Sequence, residues 1–220
     1  MRTVAFCEIE PYPRAVLKKH WPTIPCYDDI RTLTADRLKA DGIGTIDVIC
    51  GGFPCQDVSY AGKNASVDGE RTGLWREYTR LIGELEPDFV VMENVTGLLD
   101  RGLGLILGEL AKIGYDCEWH SIPASYVAAW HRRDRVWLVA YPNGKRGRER
   151  FAKGPILRQR HLQEQSARVS TGWTGRSNLP TPKLCRNGYG VSKRLDALGN
   201  AVVPQIPEII GRAIMATQNE

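Results

Sequence analysis

Two short apolar runs, each ending in residues that could carry chemistry, constrain the fold most. Residues 45–52 read "TIDVICGG" and residues 88–95 read "DFVVMENV". A continuous apolar run bounded by turn residues is typical of a strand that is buried on both faces of a sheet. Between the two runs, residues 73–87 have apolar side chains at helical spacing and stop at a proline. This order predicts an α/β fold with a mostly parallel sheet.

The same alternation continues on both sides of these runs. Extended segments are predicted over 2–10, 23–30, 117–125 and 134–142, and helices over 11–21, 33–42, 103–115 and 206–218. In a sheet of this kind, ligands bind beyond the carboxyl ends of the strands. Functional residues are therefore expected directly after the apolar runs.

Composition excludes several classes of protein. Hydrophobic residues make up 42% and charged residues 25%, which are values of a globular chain rather than a disordered one. No apolar run approaches the roughly 18 residues that span a bilayer, so we expect no contact with a membrane. The N-terminus "MRTVAFCEIE" is not a signal peptide, and a cytoplasmic location is expected. The six cysteines form no C-x-x-C pair and no zinc-like cluster, so free thiols and no metal site are predicted.

The positive charge is concentrated in one segment. The net charge is +5, and residues 143–190 contribute +9 through eleven Lys or Arg against two Glu, which leaves −4 for the remainder. Helical and strand periodicity also disappear there, as in a long functional loop region. The pattern favours contact with a polyanion such as nucleic acid over its alternative, a solvated surface loop.

A cysteine follows the first apolar run. Cys55 lies in "GGFPCQ", beyond two glycines that let the backbone turn and approach a ligand. Pro54 stiffens the residue that precedes it. The position is the expected catalytic edge of the sheet. The alternative is a strand-to-helix loop that contains a cysteine by chance.

Three further patterns are ambiguous when each is considered alone. Glu93 and Asn94 end the second apolar run, where a carboxylate is desolvated and its pKa raised, although either residue could simply cap the next turn. The segment "HRRDRV" at 131–136 could direct guanidinium groups at a polar ligand or form a surface ion-pair patch. "LGNAVVPQ" at 198–205 is a glycine turn before a helix.

In this order, the four patterns resemble motifs of the DNA cytosine-5 methyltransferases. "GFPCQ" resembles the nucleophile loop of that family, "MENV" its Glu-Asn-Val motif, "HRRDRV" its Q-x-R-x-R element and "RLDALGNAVVPQ" its closing Gly-Asn motif. The resemblance covers residues 1–140 and 191–220. It implies a Rossmann-like methyltransferase core built from these two ranges, with 141–190 as a short, basic target-recognition region.

The resemblance implies a role for each catalytic residue. Cys55 would attack C6 of a cytosine flipped out of double-stranded DNA, so that C5 can accept a methyl group. Glu93 would hydrogen-bond the ring N3 and the exocyclic amine. Arg135 would contact the base O2, and Arg133 would support the loop or the DNA backbone.

The resemblance also implies S-adenosyl-L-methionine as the cofactor. The family places an acid on the cofactor ribose, here Glu8, with Ile9 beside the adenine, and Asp29 and Ile30 approach the adenine amino edge. Pro54, Asn200 and Val202 complete the expected cofactor contacts. A monomer in the cytoplasm of a bacterium, or of a bacterium that hosts a phage, is expected.

One family motif has no counterpart in this sequence. The Phe-x-Gly-x-Gly loop and its strand, which hold the methionine part of the cofactor, are not found, so Met1 is expected to be an internal methionine of a longer protein or the start of a truncation. Two other functions therefore stay open. One is a catalytically impaired DNA-binding remnant. The other is an RNA cytosine-5 methyltransferase, against which Gln56 argues.

Overall fold

The chain begins with a small parallel βαβ unit. The computed structural model describes residues 1–54, 73–127, 129, 131–144 and 202–218. Strand β1 (Phe6–Cys7) and strand β2 (Cys26–Tyr27) pair in parallel and flank helix α1 (Pro11–His20). The α1 helix has proline in its first turn, where no main-chain donor is lost, and it ends before Pro22. A 3-10 turn (Ile30–Thr32) and helix α2 (Ala35–Ala40) follow β2.

The second part of the structure is a four-stranded sheet with order β3-β4-β6-β5. Its elements are β3 (Val48–Gly52), α3 (Gly73–Leu85), β4 (Phe89–Val95), α4 (Leu98–Arg101), α5 (Leu103–Lys112), β5 (Tyr115–Pro123), a 3-10 turn (Ala124–Val127), β6 (Asp134–Pro142) and α6 (Gln205–Gln218). The α/β class and the order of strands and helices predicted from the sequence are confirmed.

The prediction of a mostly parallel sheet is wrong for this part of the chain. Strands β3 and β4 are parallel, but β6 lies between β4 and β5 and runs antiparallel to both. The link from β5 to β6 spans residues 124–133, and the one regular element in its described part is the 3-10 turn Ala124–Val127. A short link lets the next strand pair antiparallel with the strand before it, whereas parallel pairing of two successive strands needs a crossover of about a dozen residues or more.

Strand β3 is less buried than its apolar sequence predicts. Val48 and Ile49 are half-buried and Cys50 is exposed, so the prediction of burial on both faces is wrong here. Among the described residues, β3 pairs only with β4, which leaves it at an edge of the four-stranded sheet. Strand β4 has neighbours on both sides, and its first four residues are buried as predicted.

Alternate residues of β4 face two separate hydrophobic clusters, as the period of a strand requires. Val90 and Met92 pack with side chains of α3 and α5, such as Trp75 and Ile106. Phe89 and Val91 pack on the opposite face against α6. A third cluster joins the N-terminal unit to α3 through Tyr27, Leu33, Leu38 and Leu81. Burial of each large side chain contributes about 1.5–3 kcal/mol to folding. These clusters thereby hold the carboxyl ends of β3 and β4 and the first residues of β6 at one edge of the sheet.

Membrane-spanning helices and metal-binding clusters are both missing from the described part of the chain. None of its helices is both long and apolar enough to cross a membrane. No cluster of three or more His, Cys, Asp or Glu side chains within the described ranges could hold a metal ion.

Candidate active site

Glu93 and Arg135 form an ion pair across two adjacent strands. Arg135 lies opposite Val95 in the antiparallel register of β4 and β6, which places its side chain diagonally beside Glu93. Its Nε donates to Glu93 Oε1 at 3.0 Å, and about a fifth of each side chain is exposed (22% and 19%). The structure therefore brings together two of the four residues predicted to be catalytic.

The Glu93 carboxyl is easier to protonate than an ordinary glutamate. Burial raises the pKa of Glu93, while the nearby charges of Arg135 and Arg133 lower it, and burial outweighs both. Burial and the charge of Arg135 also lower the pKa of Arg133, which still stays a cation at neutral pH. A carboxyl that takes up a proton more easily than usual, beside two cations, can hydrogen-bond a polar ring and offset charge that develops on it.

The three arginines of "HRRDRV" divide into two groups. Arg132 is 82% exposed and pairs with Asp134 at 2.8 Å, so it forms the surface ion pair that was one alternative. Arg133 and Arg135 instead lie close enough to Glu93 for their charges to lower its pKa, and their contact with a ligand stays a prediction. The Arg135 Nη1 also donates to its neighbour's carbonyl, Asp134 O, at 2.9 Å.

Arg133 has a backbone conformation that side chains rarely adopt. Its φ of 36° lies in the left-handed region, directly before β6. The main-chain oxygens of Arg132 and Arg133 accept from Ala124 N at 2.6 and 3.3 Å, which ties the bend to the 3-10 turn. Such a conformation costs on the order of 1–3 kcal/mol and persists where surrounding contacts hold it, often at functional sites.

Asn94 connects the end of β4 to the segment after β3. Its side chain is 6% exposed, and its Nδ2 donates to Phe53 O at 3.0 Å while its Oδ1 accepts from Val95 N at 2.9 Å. It therefore does more than cap a turn, because one of its two bonds crosses to the neighbouring strand. Phe53 in turn packs its ring on Trp75, with 5.0 Å between ring centroids.

Gly52 permits the close approach of β3 to Glu93. The two residues are partners in the parallel register. A Cβ atom at Gly52 would lie 3.1 Å from Glu93 O and 3.6 Å from Glu93 Oε2. The chain therefore leaves β3 beside the Glu93 carboxyl and runs through Phe53 to Pro54, which is exposed. Cys55 itself lies outside the described residues, which end at 54 on this side.

Glu8 and Asp29 lie at the carboxyl ends of the two N-terminal strands. Desolvation of the Cys7 sulfur and the negative charges of Asp29 and Glu8 raise the pKa of Cys7 to about 11, which places both carboxylates near that residue. Strands β1 and β2 are parallel neighbours, so both acids follow strand ends at the same edge of the sheet.

The surroundings of Glu8 fit the ribose and adenine of a nucleoside. Its Oε1 accepts from Glu10 N at 2.8 Å, which orients the carboxylate, and a carboxylate oxygen can accept from the hydroxyls of a diol. Ile9, beside it, is 52% exposed and offers an apolar surface to a flat base. The Asp29 oxygens accept from Arg31 N and Nε, and these bonds lower the pKa of Asp29.

The other predicted cofactor contacts are less defined. Ile30 is half-buried and packs against two of the hydrophobic clusters. Val202 is 41% exposed just before α6. Asn200 lies outside the described residues. The assignment of all these residues to a cofactor remains a prediction.

Comparison with known proteins assigns the family. Residues 1–175 match the family model of the C-5 cytosine-specific DNA methylase. The chain belongs to that family. Members of this C-5 cytosine-specific DNA methylase family use S-adenosyl-L-methionine as the methyl donor. The resemblance inferred from the four motifs is confirmed.

Curated methylases match in sequence, and solved methyltransferases match in fold. The type II methyltransferase M2.BsuMI of Bacillus subtilis is 33% identical over 146 residues, which are 63% of this chain and 36% of that protein. M.CviJI of Paramecium bursaria Chlorella virus IL3A is 31% identical over 138 residues, which are 62% of this chain and 36% of that protein. The chain thus spans about a third of the length of these two relatives.

The solved structures show the fold of the C-5 methylase core. A mutant of Spodoptera frugiperda DNMT2 superposes with a TM-score of 0.53 at 23% identity, over 66% of this chain and 44% of that one. The S. pombe Dnmt2 methyltransferase gives 0.52 at 19% identity, over 66% of this chain and 44% of that one. The Rossmann-like methyltransferase fold is therefore confirmed.

Two long-range contacts at the site were not predicted from the sequence. One is the bond from Asn94 to Phe53, and the other joins Arg80 on α3 to the main chain of Ile30 and Leu33. The only sequence signal for Arg80 is its spacing from Glu77 and Glu84, which is typical of ion pairs on a helix surface. That signal gives no reason to expect a contact with residues 30–33.

Proposed function

We propose that this chain carries the catalytic machinery of an enzyme that methylates C5 of cytosine in double-stranded DNA through a covalent adduct with Cys55. The observation that supports it most is the Glu93 carboxyl. It is largely buried, its pKa is raised, and Arg135 holds it at 3.0 Å, beside the strand end that leads to Cys55. The chain spans a minority of its relatives' length, so the activity, substrate and partner are proposals.

C5 of cytosine is a poor nucleophile, so the enzyme must first activate it by adding a nucleophile of its own to C6. The Cys55 thiolate forms a bond to C6, and the ring electron pair moves so that C5 becomes enamine-like. S-adenosyl-L-methionine, when bound, would supply the methyl group from its sulfonium and would be left as the neutral thioether S-adenosyl-L-homocysteine. The C5 proton is then lost to water, the electrons of the C5–H bond re-form the C5–C6 double bond, and the Cys55–C6 bond breaks with release of the thiolate. The attacking form is the thiolate, so the pKa of Cys55 must be lowered by its surroundings.

Glu93 supports this addition at the other side of the ring. Its carboxyl hydrogen-bonds N3 and the exocyclic amine and offsets the negative charge that attack at C6 places on the ring. A raised pKa favours the protonated form, which can donate to N3. Burial of the carboxyl strengthens these interactions because water screens them less.

Arg135 holds Glu93 and binds the base. Within the described residues, its Nε bonds Glu93 and its Nη1 bonds Asp134 O, which leaves Nη2 to donate to the base O2. Arg133 adds positive charge beside the same carboxyl and supports the loop or the DNA backbone.

The cofactor is held at the N-terminal strand ends. Glu8 binds the ribose, Ile9 covers the adenine, and Asp29 and Ile30 approach its amino edge. Pro54, Asn200 and Val202 complete the contacts. The fit of Glu8 and Ile9 to a nucleoside supports this assignment.

The DNA partner follows from the reaction and from the charge. A cytosine inside a duplex cannot be reached, so the base must be flipped into the site. The basic region 141–190 then binds phosphates and reads bases as a target-recognition region. The enzyme acts as a monomer in the cytoplasm of a bacterium, or of a bacterium that hosts a phage.

The test is transfer of labelled methyl groups from S-adenosyl-L-methionine to three substrates. These are a cytosine-containing duplex, the same duplex with 5-methylcytosine at every cytosine, and an RNA of the same sequence. The proposal predicts label in 5-methyl-deoxycytidine from the first substrate only. Label in adenine or in the RNA, or no transfer by a chain that binds the cofactor, would overturn it.

A further inference from the structure

A clamp of two α3 side chains holds the segment that follows β2. Arg80 Nη2 donates to Ile30 O at 3.0 Å and to Leu33 O at 2.8 Å. Glu84 Oε2 accepts from Ala35 N at 3.0 Å. Three main-chain groups within residues 30–35 are thus bound to one helix. We call Arg80 and Glu84 the α3 clamp.

The guanidinium of Arg80 is held in place by two carboxylates of its own helix. Its Nε is bound to Glu77 Oε2 at 2.7 Å and its Nη1 to Glu84 Oε1 at 2.5 Å. These two carboxylates, about two turns apart on α3 and on either side of Arg80, leave Nη2 directed at the two carbonyls. The planar fork of arginine can serve all of these partners at once, whereas a lysine ammonium is a single point charge. The side chain is only 31% exposed, which limits competition from water.

The clamped segment also has bonds of its own, but they are local, such as those from Arg31 N to Asp29 Oδ1 at 2.9 Å and from Thr32 Oγ1 to Asp29 O at 3.0 Å. The 3-10 turn Ile30–Thr32 is closed by main-chain bonds of 3.2 Å, from Thr32 N to Asp29 O and from Leu33 N to Ile30 O. A 3-10 turn has poorer hydrogen-bond geometry than an α-helix. The position of this turn relative to the rest of the protein therefore depends on the α3 clamp and on the packing of Ile30 and Leu33.

We infer that Arg80 is a positioning residue for the adenine end of the cofactor. It sets the position of the main chain at Asp29 and Ile30 without touching the cofactor itself. The inference rests on the proposed function, because Asp29 and Ile30 are proposed cofactor contacts there. The nucleophile and Glu93 belong to different elements, so loss of the clamp acts on cofactor affinity rather than on the chemical step.

The expected effect is a change in KM with little change in kcat. In Arg80→Gln, binding of S-adenosyl-L-homocysteine weakens about tenfold, the effect of losing about one charged hydrogen bond. The KM for S-adenosyl-L-methionine rises by the same factor, and kcat at saturating cofactor stays within about twofold. Arg80→Lys does not restore affinity, since the three donors of an ammonium cannot serve both carboxylates and both carbonyls at once. If the charge alone mattered, lysine would restore it.

The matched control is Arg212→Gln. Arg212 makes the same kind of i,i+4 ion pair, with Glu208 at 2.8 Å, on α6, where no proposed cofactor contact lies. Arg212→Gln removes the same charge as Arg80→Gln. It is expected to leave S-adenosyl-L-homocysteine binding and the KM for S-adenosyl-L-methionine unchanged.

Hydrogen exchange of the chain without cofactor tests the clamp independently of activity. Amides at 31–35 are expected to exchange faster in Arg80→Gln and Arg80→Lys, and at the wild-type rate in Arg212→Gln. Two results in Arg80→Gln overturn the inference and leave the proposed function intact. One is unchanged hydrogen exchange at 31–35, and the other is unchanged affinity for S-adenosyl-L-homocysteine. A wild-type chain that binds neither cofactor form overturns the proposed cofactor site, and the positioning role with it, even if exchange at 31–35 rises.

Discussion

Asn94 Nδ2 donates to Phe53 O at 3.0 Å, and this bond ties the end of β4 to the start of the loop that carries Cys55. Glu93, the preceding residue, lies on the opposite face of the sheet, beside Arg135. Consecutive residues of one strand therefore serve two purposes. In the proposed mechanism Glu93 binds the reacting base, while the bond of Asn94 holds Phe53, two residues before Cys55.

The substitution Asn94→Asp tests this bond with the least change in shape. Oδ1 can still accept from Val95 N, but the donor that faces Phe53 O becomes a second acceptor. We expect a loss of about 1–3 kcal/mol in the free energy of unfolding, measured by urea denaturation, and a slower reaction of Cys55 with DNA. Unchanged unfolding and reaction rates would show that the bond does not hold the loop.

Gly52→Ala is expected to destabilise the sheet at the site. The added Cβ would lie 3.1 Å from the main-chain oxygen of Glu93, which cannot move without shifting β4. We expect a loss of about 1–3 kcal/mol in thermal or urea unfolding. The control is Gly83→Ala in α3, where no atom lies within 4 Å of the new Cβ and where alanine should stabilise by about 0.5–1 kcal/mol. Equal effects at both glycines would contradict the close approach of β3 to Glu93.

Removal of Arg135 is expected to shift the titration of Glu93. The positive charge of Arg135 lowers the pKa of Glu93, against the larger effect of burial. In Arg135→Gln the ionised Glu93 carboxylate loses the stabilising positive charge of Arg135, so the pKa of Glu93 rises further above its ordinary value. The measurement is NMR titration of carboxyl-labelled glutamate. Arg132→Gln removes the same charge from a side chain that is 82% exposed and paired with Asp134, and it should leave Glu93 unchanged.

The site could be predicted in part because its signals are local. The apolar run that ends in Glu93 predicted the buried strand β4, and it also predicted a candidate catalytic residue at the end of that strand. The contacts that position the site are not local. Asn94 reaches Phe53, 41 residues away, and Arg80 reaches Ile30, 50 residues away, and no periodicity encodes either pair.

The errors in the fold have the same physical origin. The sequence of β3 has the composition of a buried strand, but burial depends on which strands flank it, and β4 is its one neighbour among the described residues. The antiparallel placement of β6 depends on the short link after β5. The left-handed conformation of Arg133 could not be predicted either, since arginine has no preference for it.

Thiol reactivity is expected to distinguish Cys55 from other cysteines. Desolvation and nearby carboxylates raise the pKa of Cys7 to about 11, and burial with the charge of Asp116 raises the pKa of Cys117 to about 12. At neutral pH both are almost entirely thiols, so they react slowly with iodoacetamide. A nucleophilic Cys55 must hold more thiolate and be alkylated first, as peptide mass spectrometry can measure. Faster alkylation of Cys7 or Cys117 would contradict this account.

The most direct test of the central claim is covalent trapping on duplex DNA that contains 5-fluorocytosine, with S-adenosyl-L-methionine present. Fluorine at C5 cannot leave as a proton does, so the bond between Cys55 and C6 persists. The account predicts a denaturation-resistant complex with the wild-type chain, none with Cys55→Ser, and an undiminished complex with the control Cys7→Ser. A complex that survives in Cys55→Ser, or a wild-type chain that binds cofactor and DNA but forms none, would contradict it.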